Sequence, residues 1–141
     1  MRPHSAAKAY SMIGVETGVA AANPHSLILM LYDGALQAIA DALRHLDARA
    51  VADKGRAVSR AISIIDEGLK GCLDRSAGGE IASHLGELYD YMCRRLLLAS
   101  LKDDRRGFDE VARLLNELRG AWATIAAAPT PAETPADLTA V

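Results

Sequence analysis

Asn23-Pro24-His25-Ser26-Leu27-Ile28-Leu29-Met30-Leu31-Tyr32-Asp33-Gly34-Ala35-Leu36 is the stretch whose reading decides the fold. The Asn23 side chain can accept hydrogen bonds from first-turn amides, and Pro24 loses nothing at a position whose amide has no helical partner, so a helix begins here. Downstream, Ile28, Leu31, Ala35, Ile39, Ala42 and Leu46 advance by 3, 4, 4, 3 and 4, and Leu29, Leu36 and Leu43 form a second stripe. Two stripes make a wide apolar face on a helix predicted to end near Ala48.

The same period recurs three times. Val58, Ile62, Ile65, Leu69 and Cys72 mark a second helix, with Asp53 as its candidate cap and Ser76 to Gly79 as its break. Glu80, suited to a first-turn dipole, opens a third helix carrying Ile81, Leu85, Leu88, Met92 and Leu96 to Leu98. Gly86 within it suits a close approach between helices. After the connector Lys102-Asp103-Asp104, a fourth helix follows from Phe108, Val111, Leu115, Leu118, Trp122 and Ile125. Four helices with short connections bury one another's apolar faces as an all-α, antiparallel up-down-up-down bundle over residues 23–127.

Two flanks complete the organisation. Residues 1–22, rich in small side chains and interrupted by Gly14 and Gly18, predict a flexible, partly helical arm whose Tyr10 and Met12 can anchor it to the bundle or meet another chain. Residues 128–141 contain Pro129, Pro131 and Pro135 among small and polar side chains and predict a disordered tail.

Composition agrees with helices. Of 141 residues, 50% are hydrophobic but only 4% aromatic, which favours an aliphatic helical core over a strand-rich sandwich or barrel. Lys+Arg 16 against Asp+Glu 18 leaves a net charge of −2, without the cationic field of a nucleic-acid binder. The sequence opens without a secretory signal, and no uncharged apolar run reaches membrane-spanning length, so a cytoplasmic protein without membrane insertion is expected. Cys72 and Cys93 lie inside periodic segments and read as reduced, buried thiols.

Chemistry-bearing motifs are sparse. Asp41/His45 and Glu80/His84 are spaced to pair along a helix face, but neither supplies the Glu-x-x-His pattern of bundle di-metal sites. His84 lacks the basic neighbours that a phosphoryl relay needs. Arg94-Arg95 and Arg105-Arg106 are offset by Asp103, Asp104 and Asp109. Tyr89, Tyr91, Met92 and Cys93, beside Asp90 and Arg94, read either as core or as a polarizable surface with a polar rim. With no phosphate-binding glycine loop, nucleophile elbow or Cys/His framework, no catalytic residue, cofactor or metal is expected.

The Asn23 to Leu36 block resembles the opening signature of the flagellar secretion chaperone family, FliS. Three further blocks are similar to that family in the same order: Gly79-Glu80-Ile81-Ala82, the run from Leu88 through Tyr89, Asp90, Tyr91, Met92, Cys93, Arg94 and Arg95 to Leu96, and Leu118-Arg119-Gly120-Ala121-Trp122. The resemblance covers roughly Tyr10 to Ile125. Asn23 stands where serine is common, a change between two capping residues. The resemblance implies a chaperone that binds the disordered carboxyl-terminal segment of flagellin, prevents premature polymerisation and assists delivery to the flagellar type III export apparatus. The alternative is an adaptor or regulatory bundle for another flagellar export protein. Tyr10 matches the family's arm tyrosine and implies a competitive gate over the binding surface. The partner-binding candidates of the first helix are Leu27, Leu31 and Tyr32, with Asp33 orienting or solubilising the surface and Gly34 allowing close packing. Self-association to a homodimer through the same apolar surface stays open.

Overall fold

A computed structural model describes residues 23–73 and 75–127. Arm residues 1–22, including Tyr10, and tail residues 128–141 lie outside the described residues, so the expectations placed on them rest on sequence. Helix α1 spans Pro24–Asp47, α2 spans Val51–Ser63, α3 spans Arg75–Lys102 and α4 spans Arg105–Ala127. Between α2 and α3, the chain continues through a π-helical segment, Ile64–Leu69, and a 3₁₀ turn, Lys70–Cys72.

The start of α1 is as expected: Asn23 Oδ1 accepts from the Ser26 amide at 2.8 Å, with Pro24 in the first turn. Its end is a tight left-handed turn. Arg49 has φ 58°, its amide donates to the Leu46 carbonyl, and the Ala50 amide donates to the His45 carbonyl at 2.9 Å. That pair of bonds closes the helix in the way usually assigned to glycine. Asp103, φ 50°, repeats the device after α3, with the Asp104 amide reaching the Ala99 carbonyl. Because the first turn closes so quickly, α2 begins at Val51 with Ala50 in the cap position, and Asp53 lies inside the first turn, paired with Arg56. The expected Asp53 cap is therefore replaced by a helix start without a side-chain cap.

Polar contacts fix the bundle's directions. Along α1 and α4, Asp47 pairs with Arg105 and Asp33 with Arg119, so residue numbers rise on one helix as they fall on the other. Lys54 with Asp103 and Lys70 with Asp90 give the same opposition along the second and third helical segments. Tyr91 and Arg95 both reach Glu110 across α3 and α4. These neighbours make the up-down-up-down order, with α1 and α3 on the diagonal.

The core runs along that diagonal. Leu27, Leu31, Ala35, Ile39 and Ala42 of α1 meet Ile64, Ile65, Tyr89, Met92, Leu96, Phe108, Val111 and Leu115, all buried. Helix α1 is long and apolar enough to cross a membrane by composition, but these side chains face the bundle core. The π segment is the main departure from the expected uninterrupted second helix. Widening the turn brings consecutive residues inward, so that Ile64/Ile65 and Gly68/Leu69 are buried in pairs. A Cβ on Gly68 would stand 2.9 Å from Leu31 Cδ2, so this widened turn lies directly against α1. The third helix becomes regular near Glu80, as expected, because Gly79 interrupts it with φ 55° and ψ −125°.

Candidate functional site

One end of the bundle holds an apolar groove of about 520 Å³. Pro24, His25, Leu27, Ile28 and Tyr32 of α1 form one side. Leu69, Cys72 and Leu73 approach from the π and 3₁₀ turns, and Ile81, Ala82, Leu85 and Tyr89 from α3. Trp122 of α4 closes it. The groove exists because the second helical segment ends in irregular turns and α3 restarts after Gly79, leaving the first turns of α1 without a complete set of neighbours among the described residues.

Its floor is held by a buried bond. Tyr32 and Tyr89 join their hydroxyls at 2.7 Å across the α1–α3 diagonal. Burial pushes both phenols above their ordinary range. Each hydroxyl thereby has a partner, and a neutral pair is favoured in this apolar setting. One wall is set by Trp122, whose Nε1–H donates to the His25 carbonyl at 3.0 Å while its ring lies 4.9 Å from the His25 ring at an interplanar angle of 31°. The Arg119–Asp33 pair, one turn further in, holds α4 to α1 beside the groove. Ile81, at the rim, is 71% exposed.

Of the sequence-predicted site residues, Leu27, Leu31 and Tyr32 are buried at 1%, 0% and 4% exposure. Leu27 and Tyr32 form part of the groove floor, and Leu31 lies beneath it against Gly68. The tyrosine-rich stretch is divided: Tyr89 and Met92 enter the core, and Tyr91 faces outward to bond Glu110 at 2.6 Å. That bond, followed by the one from Arg95, holds the Glu110 carboxyl below the usual range. Sequence periodicity assigned Ile81, Leu85 and Trp122 to core stripes and missed their place on the groove. The available signal was positional, since Ile81 follows a glycine break and Trp122 stands in the last turns of its helix.

The groove offers little for covalent chemistry. Burial raises the Cys72 thiol that lines it, and burial followed by the nearby Asp66 and Asp90 carboxylates pushes the Cys93 thiol up to about 11, so neither is an activated nucleophile. Among the described residues, no three His, Cys, Asp or Glu side chains are grouped to hold a metal.

An all-α bundle with an apolar groove beside the start of its first helix has a surface of the kind that can take up apolar side chains of another segment. A family profile described as flagellar protein FliS matches residues 6–129, and the chain belongs to that family. It is 50% identical to the flagellar secretion chaperone FliS of Salmonella typhimurium over 121 residues, 86% of this chain and 90% of that protein. It is 39% identical to the flagellar secretion chaperone FliSB of Pseudomonas aeruginosa, covering 83% and 92% of the two chains. Against FliS of Bacillus subtilis, the identity is 35%, covering 76% and 78%.

Proposed function

We propose that this protein is a cytoplasmic export chaperone that binds the disordered carboxyl-terminal segment of flagellin, prevents its premature polymerisation and assists its delivery to the flagellar type III export apparatus. The observation that carries the reading is the apolar groove beside the start of α1, in a chain of the FliS family. A disordered segment gains by burying apolar side chains there and loses conformational freedom, so association draws on hydrophobic burial and needs no covalent step. Each 100 Å² of apolar surface removed from water contributes about 2.5 kcal/mol before that ordering cost.

Leu27 and Tyr32 form the floor that receives the segment, Leu31 supports it from below, and Ile81, Leu85 and Trp122 supply the walls. Tyr10 covers part of this surface in the free protein and yields it to flagellin. The support is the match of Tyr10 to the family's arm tyrosine and the entry of the arm at Pro24, on the groove rim. The test compares binding of the purified protein to full-length flagellin and to flagellin lacking its carboxyl-terminal segment. Retention of the first and loss of the second is expected. Equal binding of both would overturn the assignment.

A further inference from the structure

A second apolar cluster lies on the outer face of α3, toward the opposite end of the bundle from the groove. Leu97, Leu98 and Leu101 are 52%, 49% and 74% exposed, while Leu96 just before them and Ala99 among them are buried. The three exposed leucines are neighbours on one helix surface. Val51, 72% exposed, stands at the same end, because Lys54 in the next turn reaches the Ser100 carbonyl and Asp103 at the end of α3. From Ile81 at the groove rim, Leu101 is about 30 Å further along α3 at helical rise.

Arg94 and Lys102 are exposed one turn before and one turn after Leu98, on the same i, i+4 row, and neither forms an ion pair among the described residues. Arg95, Arg105 and Arg106 nearby are all paired with carboxylates. A leucine cluster bracketed by two cations that have no ion-pair partner among the described residues is complementary to a short amphipathic helix with apolar residues on one face and carboxylates at its flanks. A second copy of this chain fits poorly, since pairing the same face about a two-fold axis brings Arg94 and Lys102 against like charges. An anionic membrane fits poorly as well, because two cations supply little of the attraction on which peripheral binding depends.

We propose that the Leu97/Leu98/Leu101 face is a docking site for an acidic amphipathic helix of a protein partner, separate from the groove and able to be filled while the groove holds its substrate. The probes are two labelled synthetic helical peptides of about three turns with identical leucine faces, one flanked by glutamates and one by lysines. The full-length protein is titrated with each by fluorescence anisotropy. The acidic peptide is expected to bind about tenfold more tightly than the basic one, and R94E/K102E to reverse that order. Leu98→Ser with Leu101→Ser, both exposed positions, is expected to abolish binding of either peptide and to leave binding of the carboxyl-terminal flagellin segment unchanged.

Equal affinity for the two peptides, or indifference to R94E/K102E, would overturn the proposal. Concentration-dependent dimerisation abolished by the leucine substitutions would assign the face to a second copy, and equivalent behaviour with phosphatidylglycerol vesicles would assign it to a membrane. Loss of flagellin binding in the leucine variant would merge the face with the substrate site and overturn its separateness. Failure of the groove assignment leaves the peptide result standing, so the two readings fail independently.

Discussion

The Tyr32–Tyr89 pair is the interaction whose loss is felt most locally. Replacing one phenol leaves the other hydroxyl buried without a partner, so Tyr32→Phe should lower unfolding free energy by about 1–3 kcal/mol. The double Tyr32→Phe, Tyr89→Phe protein should lose less than the two single costs combined, which urea denaturation of the four proteins would measure. Titration gives an independent check. These phenols and the Cys93 thiol hold their protons more tightly folded than unfolded, so their contribution is complete below the unfolded values. It is lost as pH rises, from about 8.5 for the thiol and about 10 for the phenols. The urea midpoint should therefore fall between pH 8 and pH 10.5, and less steeply in the doubly substituted protein. Lys54 is the other residue of this kind. The residue is 7% exposed and its ammonium donates to the Ser100 carbonyl at 2.9 Å, placing a cation at the carboxyl end of α3. Lys54→Met should cost about 1–3 kcal/mol in the same assay. None of these partnerships was legible in the sequence, because each joins residues far apart in the chain whose types alone have ordinary local explanations.

At the level of helices and turns, more of the structure is legible in the sequence. The Asn23-Pro24 start and all four periodic stripes correspond to helices, because capping chemistry and helical period are local properties. The departures have local physical causes. The π segment over Ile64–Leu69 shifts the buried face by one residue, a change that a stripe of branched aliphatics does not announce. Ile125 and Ile81, assigned to core stripes by spacing, are 54% and 71% exposed. Both stand at helix ends, where the pairing of Trp122 with His25 shows that the neighbouring described helix is running out. Two substitutions probe these junctions. Arg49→Gly should stabilise the protein by up to about 1 kcal/mol by relieving a left-handed backbone conformation at an exposed residue. Gly107→Ala should destabilise by about 1–3 kcal/mol, because its Cβ would stand 2.6 Å from the Ala99 Cβ and force α3 and α4 apart. Thermal unfolding of the two variants should show opposite shifts in Tm.

For the whole molecule, family blocks in the sequence pointed to the function more directly than periodicity could, since groove-lining and core residues share one helical spacing. The structure separates them: Leu31 is fully buried, whereas Ile81 presents its side chain at the groove rim. Tyr10→Ala should destabilise the free protein modestly and alter flagellin association; unchanged stability and binding would remove the gate from the account. The groove itself has a built-in reporter, because Trp122 is the only tryptophan in the sequence and lines its wall. The most direct measurement is a titration of the protein with the carboxyl-terminal flagellin segment, followed by Trp122 fluorescence, for the natural sequence and for Ile81→Asp. A saturable change is predicted for the natural sequence, with affinity reduced about tenfold or more in Ile81→Asp and stability within about 0.5 kcal/mol. Undiminished affinity in Ile81→Asp, with no Trp122 response to the bound segment, would contradict the claim that flagellin occupies this groove.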